Sequence, residues 1–393
     1  MSDSRIKTVI LVHVSRRWAT FHRRHMLLAL AAALPESAAL ICIDRPITPD
    51  VTLWKYPRRF WASRWGLREE RDGEHVRVLT WRLAAHDITV HRIPPLKPLN
   101  LWLARRQLQR YLRERFPEAE RVIQWIYHPV QQWLFDALPR AGKVYECYDE
   151  YARTVEGEWV ASRWSRELPV LRRADLTFVT TEHLMQSRRA LAQRAALLPN
   201  GVPDFFFDAP NEVPDAIDHI PHPRVGFVGN IRSPVDFNLL ESVFRERLDW
   251  HLIFVGPIQR SVHIEGLRGL ANVHFLGPRR FEDLPGILRR LDVGLITYRV
   301  TEYIRVTQPL KLAEYLAVGL PTVSVDLPEL RSMGDLIWLT PSQPTAFRDA
   351  IASALAVDRD RYAGRAVAAA RELTWSVIIR RHVLPELRQV FQI

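Results

Sequence analysis

A chain of 393 residues is too long for one ordinary core, so two domains are expected. Hydrophobic content of 47% with 25% charge belongs to a folded soluble protein, and its two cysteines, Cys42 and Cys147, lie in apolar runs, so a disulfide framework is not indicated and a reduced, cytoplasmic setting fits. The charge is lopsided: residues 1–115 hold 22 Lys and Arg against 10 Asp and Glu, a net of +12, whereas the remainder holds 33 against 34, so a phosphate-bearing partner, nucleic acid or anionic membrane, is drawn to the first third.

Residues 7–14 form a continuous β-rich run, as a strand buried on both faces requires. His13 ends it, where a parallel strand delivers side chains to a cleft; a core histidine is the plainer alternative. Residues 21–34 read as the following helix and 38–43 as the second strand. The apolar stretch 26–34 stops at Pro35, far short of the roughly 20 residues that span a bilayer, and the N-terminus is not a signal peptide.

Residues 50–65 break this rhythm. Trp54, Tyr56, Phe60, Trp61 and Trp65 interleave with Lys55, Arg58, Arg59 and Arg64. Such interleaving suits a membrane interface or an acceptor surface, with Trp54, Arg58, Arg59, Trp61 and Trp65 as its contacts. Base stacking would use the same residue types, and a loop that packs its aromatics inward is the bland alternative.

Short strands are expected at 76–84 and 88–93, before the Pro94-Pro95 break, then a helix over 99–115 with Arg105, Arg106, Arg110 and Arg113 on one face. Strands follow at 121–127, at 143–148, which empties into Asp149-Glu150-Tyr151, and at 176–180, which ends in Thr181-Glu182; 197–201 closes the half. Alternating strands and helical stretches mean a doubly wound parallel sheet. The first domain is placed at 1–205, an aperiodic linker at 206–222, and a second domain at 223–373. That domain has strands at 224–228, 251–255, 273–275, 293–296, 322–325 and 337–339, and a last helical stretch follows at 374–393.

The richest stretch is 305–325. Pro309 pre-sets a helix start, and Leu310, Ala313, Leu316 and Ala317 recur on one face. Gly319 stops the helix, and Pro321 keeps it from resuming. Lys311 and Glu314 share a face near the helix N-terminus, whose partial positive charge and unpaired N–H groups suit a diphosphate; the carboxylate one turn on could accept two ribose hydroxyls. An amphipathic helix with an i,i+3 ion pair is the alternative. In Gly226-Phe-Val-Gly229-Asn230-Ile-Arg232, Gly229 permits close backbone approach and Arg232 could meet phosphate. Asn230 and Tyr298 are counted with the same donor site.

The run P-L-K-L-A-E-Y-L-A-V-G-L-P-T-V resembles the donor-site signature of GT-B glycosyltransferases. The resemblance implies an α/β chain of two doubly wound Rossmann-like domains facing a central cleft, with the last helix packing back on the first domain. It also implies a nucleotide diphosphate at the helix start, and a ribose on Glu314. Gly229 looks like the loop that faces the diphosphate. Y-E-C-Y-D-E-Y resembles a pattern of bacterial exopolysaccharide transferases such as the xanthan glucuronosyltransferase family. That likeness makes Asp149 the base, with Glu150 as runner-up and Glu182 as a later glutamate serving the site. A carboxylate at a strand end is, on its own chemistry, able to take the proton of an attacking alcohol.

One departure bears on mechanism. Retaining GT-B enzymes often carry a second glutamate eight positions before the first, and here that position is Val306, unless Glu302 substitutes. Direct displacement, an inverting reaction, is therefore expected. No cofactor or metal is expected either: the chain has no phosphate-binding G-x-x-x-x-G-K-[ST], no H-E-x-x-H and no C-x-x-C, and Asp358-Arg-Asp360 reads as a helix start.

The reading is a glycosyltransferase that moves a sugar from a nucleotide donor, a UDP-sugar, to a polyprenyl-diphosphate-linked saccharide in envelope polysaccharide synthesis. It would sit peripherally on the inner face of the cytoplasmic membrane, with nucleic acid an unlikely partner. The rivals are a transferase acting on nucleic acid or another soluble acceptor, a nucleotide-sugar epimerase, and a non-catalytic binding subunit of the same fold.

Overall fold

The computed structural model describes residues 3–62, 67–208 and 217–393, without the side chains of Arg59 and Ala62. Two compact units emerge. One comprises Met1–Ala152, Ala161–Leu198 and Ile379–Ile393; the other comprises Arg153–Val160 and Pro199–Ile378.

The first unit is built on eight strands: β1 (Thr8–His13), β2 (Ala38–Ile43), β3 (Arg68–Asp72), β4 (Val76–Thr80), β5 (Arg121–Ile126), β6 (Gly142–Cys147), β7 (Leu176–Val179) and β8 (Ala195–Leu197). Their order is β3-β4-β2-β1-β5-β6-β7-β8. All pairs are parallel except β3 with β4. Every residue of β1 is buried, which is what its unbroken apolar run demands of a strand covered on both faces. Thr8 lies opposite Ala38 and Arg121, so the carboxyl ends of the central strands finish level at His13, Ile43 and Ile126.

Two elements differ from the sequence expectation. The hairpin strand β3 is R-E-E-R-D, too polar to signal a strand; it lies at the sheet edge, where charge deters further pairing, and Gly73 at φ +70° makes its turn. Residues 88–93 are not a strand: residues 88–92 belong to the helix Asp87–Arg92, and Ile93 is its C-cap. Ile88, Thr89 and Val90 favour extended backbone locally, yet the His86 ring accepts from Ile88 N at 3.3 Å and caps a helix there.

The second unit has β9 (Arg224–Val228), β10 (His251–Val255), β11 (Val273–Phe275), β12 (Val293–Ile296), β13 (Thr322–Val325) and β14 (Trp338–Thr340). They run parallel in the order β11-β10-β9-β12-β13-β14, so the order reverses between β9 and β12, and ligands of such sheets bind beyond the strand ends at that crevice. Phe206, Ile217 and Ile220, from the segment expected to link the domains, are buried in this unit's core. Residues 209–216 of that segment lie outside the described residues.

Within the first unit, the terminal segment Ile379–Ile393 is held by Arg194 to Glu386 and by Arg121, which donates to the Gln392 carbonyl at 3.1 Å. The Phe391 ring fills the space above Gly142, where a Cβ would come within 2.5 Å of it.

Candidate functional site

In the second unit, the helix Leu310–Ala317 carries the two charged donor candidates, and three devices fix its place. Asn200 donates to Gln308 Oε1 at 2.7 Å and to the Gln308 carbonyl at 2.6 Å, setting the approach to the helix. The Tyr315 hydroxyl accepts from Val228 N at 3.0 Å and donates to the Leu295 carbonyl at 3.4 Å, pinning the helix across β9 and β12. Gly294 makes room for that ring, since a Cβ there would stand 2.6 Å from it. Gly319, at φ +68° and against Ala363, ends the run.

Lys311 is thereby buried beside the crevice. Its ammonium lies 3.5 Å from the centre of the Phe227 ring and 5.2 Å from that of Tyr298, and among the described residues it has no ion pair. Burial pulls its pKa down to about 7; Glu314 works against that shift and Arg232 with it. Half-buried Glu314 is pushed the other way, to about 7, by the same desolvation, against the pull of Lys311. Tyr298 follows β12, and burial lifts its hydroxyl to about 12 against the nearby Arg232.

Gly229 takes φ +130°, and a Cβ on it would stand 3.5 Å from Lys311 Nζ. Gly256, at φ +141°, faces it so closely that a Cβ would meet the Gly229 carbonyl oxygen at 2.0 Å. The two strand-end loops thus touch backbone to backbone, and neither position admits a side chain. Asn230 and Arg232 are exposed on the first of these loops, and Leu310 is half-buried. So Gly229, Tyr298, Lys311 and Glu314 come together. An ammonium on an aromatic floor, beside a glycine loop and a helix N-terminus, is equipped to hold an anion. Val306, eight positions before Glu314, is a buried aliphatic; Glu302 is exposed and pairs with Arg305 at 3.5 Å.

In the first unit, Asp149 follows β6. It is half-buried, and its Oδ1 accepts from Glu150 N at 3.0 Å. Glu150 is a different kind of carboxylate from the one expected. Arg188 holds both its oxygens, at 2.6 and 2.7 Å, and reaches Glu167 at 3.1 Å, with all three side chains almost wholly buried. Burial works against the Arg188 charge, but its Glu150 hydrogen bonds and the nearby Cys147 and Glu167 hold it above the usual value. Tyr145 and Cys147 donate to Glu167 at 3.2 Å. A carboxylate buried and gripped on both oxygens by one guanidinium is tied into the core, so Glu150 is corrected from alternative base to structural clasp.

His13 is corrected as well: it is 2% exposed, inside the core beside Trp81, and burial lowers its pKa to about 3. The plainer reading of a core histidine describes it. Glu182 is exposed at the start of the helix Glu182–Arg188, behind the Thr181 cap. Asp358 caps the helix Arg359–Arg371 by accepting from Arg361 N at 3.1 Å. Among the described residues, no group of three or more His, Cys, Asp or Glu could hold a metal ion.

Trp54 and Trp61 are 83% and 75% exposed, and Arg58 is exposed between them, so these rings do not pack inward. Trp65 and the side chain of Arg59 lie outside the described residues. Sequence reasoning missed Phe227 as the floor under Lys311, and Arg188 as the clasp. Phe227 sits inside the glycine motif, but its ring's use depends on a helix more than eighty residues later. Arg188 and Glu150 are 38 positions apart and share no motif.

Two Rossmann-like parallel sheets and a glycine-loop, lysine-helix crevice on the second define the GT-B fold. Residues 222–356, within the second unit, match the family model described as Glycosyl transferases group 1. The chain is 28% identical over 249 residues to a Bacillus subtilis protein named as the teichuronic acid biosynthesis glycosyltransferase TuaH. That match spans 58% of this chain and 62% of the relative's length. Among solved structures, a sucrose-phosphate synthase from Thermosynechococcus elongatus superposes with TM-score 0.72 at 18% identity, covering 98% of this chain and 99% of that one. An α,α-trehalose-phosphate synthase (UDP-forming) from Burkholderia xenovorans gives 0.70 at 15% identity, with the same coverage. Identities this low speak for the fold alone.

Proposed function

We propose that the chain is a GT-B glycosyltransferase of bacterial envelope polysaccharide synthesis. It takes a sugar from a nucleotide donor, a UDP-sugar, and passes it to a saccharide carried on a polyprenyl diphosphate. The observation that carries the donor half is the Lys311 ammonium, buried on the Phe227 ring beside Gly229 with no carboxylate among the described residues paired to it. A buried charge left without a protein counter-ion is costly unless a ligand supplies one, and a diphosphate would. The likeness to TuaH supports the envelope setting. Exposed Trp54 and Trp61, in the third of the chain with a net charge of +12, support an acceptor held at an anionic membrane.

In the reaction, the acceptor hydroxyl attacks the anomeric carbon as Asp149 takes its proton. The bond from that carbon to the phosphate oxygen breaks, and the nucleoside diphosphate leaves with the bonding pair. Lys311, Arg232 and the helix N–H groups meet its charge, so no metal ion is required. An aliphatic Val306 where retaining enzymes often place a glutamate favours inversion.

Titration calorimetry with UDP, GDP and TDP tests the donor half, and failure to bind any of them removes it. Asp149→Asn tests the base: transfer should fall by about 10²–10⁴-fold with donor affinity kept. A variant that turns over normally moves the base elsewhere.

A further inference from the structure

We infer that a second element of the first unit, the helical elbow from Ile88 to Trp102, is a docking surface for anionic lipid, continuous with the Trp54–Trp61 segment. The inference rests on the reading of a membrane-held acceptor and extends it to residues that reading did not include.

The elbow joins the helix Asp87–Arg92 to the helix Lys97–Arg115 through Pro94 and Pro95. Each helix buries one side only: Asp87 and Val90 on the first, Asn100, Ala104, Leu108 and Tyr111 on the second. The outer side of the bend carries Ile88, Ile93, Leu99 and Trp102, which are 47%, 49%, 48% and 53% exposed. Single exposed apolar residues are ordinary, but four within fifteen positions at one bend are not.

The elbow and the tryptophan segment hang on one strap, residues 82–86. On one side, Asp50 accepts from His86 N at 3.1 Å, and Arg82 donates to the Phe60 carbonyl with its guanidinium 4.5 Å over the Phe60 ring. On the other, Asn100 accepts from Ala84 N and Ala85 N at 2.9 and 3.0 Å and returns a bond to the Ala85 carbonyl at 2.7 Å. The wholly buried Asn100 thus fixes the second helix to the strap that carries Trp54 and Trp61.

Charge says what covers this face. Residues 51–62 and 88–113 contain three and six Lys or Arg respectively, and neither stretch contains an Asp or Glu. Arg92, Arg105 and Arg106 are exposed around the apolar tips, with Arg106 lying over the Trp102 ring at 5.4 Å. Lys97 is exposed there too but pairs with Asp136 at 3.0 Å, and Arg105 donates to the Asp136 carbonyl. A surface apolar at its tips, cationic around them and free of carboxylates in both stretches matches the boundary of an anionic bilayer: hydrocarbon for the tips and headgroups for the cations. Nucleic acid would meet the cations and could stack on Trp102. It has no use for Ile88, Ile93 and Leu99, which offer no ring.

The test uses the full-length protein with sedimentation on vesicles of phosphatidylcholine alone or with phosphatidylglycerol. Wild type should partition onto the anionic vesicles and be released by salt. Ile93→Ser with Trp102→Ser should lower that partitioning by roughly tenfold, with circular dichroism and nucleotide affinity unchanged. If this variant partitions like wild type while Trp54→Ser with Trp61→Ser does not bind, the elbow is overturned and the membrane-held acceptor stands. Equal binding to neutral vesicles overturns the anionic partner. A wild type that ignores anionic vesicles at low salt but retains duplex DNA overturns both readings in favour of nucleic acid.

Discussion

Two sets of buried charge, one in each unit, show how differently a protein treats an ion it takes out of water. Arg188 is matched: two carboxylates, Glu150 and Glu167, surround it at hydrogen-bonding distance. Lys311 is unmatched among the described residues: it rests on Phe227 and Tyr298, while Glu314 one turn along influences it without pairing. Burial disfavours both charges. The Glu150 hydrogen bonds with nearby Cys147 and Glu167 nevertheless hold the arginine's pKa above its usual value, whereas burial brings the lysine, opposed only by Glu314, down to about 7. A matched ion is finished and serves the fold. The unmatched one is costly to the fold, and that cost marks it as a binding group.

One replacement made at both places would break or sharpen this contrast. Arg188→Met should be the more damaging, because it strands two carboxylates in the core; a loss of about 3–5 kcal/mol in urea unfolding is expected. Arg188→Lys should recover only part of it, since an ammonium cannot reproduce the two-pronged grip on Glu150. Lys311→Met should move stability the opposite way, by about 0.5–2 kcal/mol, because the sulfur can rest on Phe227 without a desolvated charge. If both substitutions destabilise alike, the distinction between a finished ion and a poised one is wrong.

Lys311→Met should also act on affinity. A charged hydrogen bond contributes about 1.5–3 kcal/mol, so nucleotide binding should weaken roughly tenfold or more by calorimetry, and Glu314→Ala should weaken it similarly. Unchanged affinity in both variants would remove the helix Leu310–Ala317 from the donor site.

Much of this was legible in the sequence. The five strands β9 to β13 fall where their apolar runs put them: four are buried almost throughout, and β11, at the sheet edge and only half-buried, still shows as a short apolar run. The Lys311–Glu314 spacing was visible because helical periodicity and Gly319 mark that helix unambiguously. What stayed hidden depends on distant partners. Glu150 stands as runner-up to Asp149 until Arg188 is seen on it, and His13, at a strand end, keeps a cleft role open beside the plainer core reading until Trp81 is found packed against it. The helix Asp87–Arg92 was misread because its β-branched residues state a local preference that the His86 cap overrides.

The subtlest expected effect concerns pH. An anionic diphosphate is held by the ammonium form of Lys311, whose pKa is about 7, so donor affinity should begin to fall as pH rises above about 7. Glu314 also titrates near 7, and its carboxylate, the form that accepts ribose hydroxyls, grows with rising pH. The two groups therefore oppose each other, and affinity for a nucleoside diphosphate sugar should peak near neutrality rather than change steadily. Glu314→Gln separates them. It removes the rising limb, and it removes the nearby negative charge that props up the Lys311 pKa, so the falling limb should start at lower pH than in wild type. Calorimetry from pH 6 to 9 measures this. A falling limb that stays in place in Glu314→Gln would mean that the two side chains do not sense each other, and that Lys311 owes its pKa to burial alone.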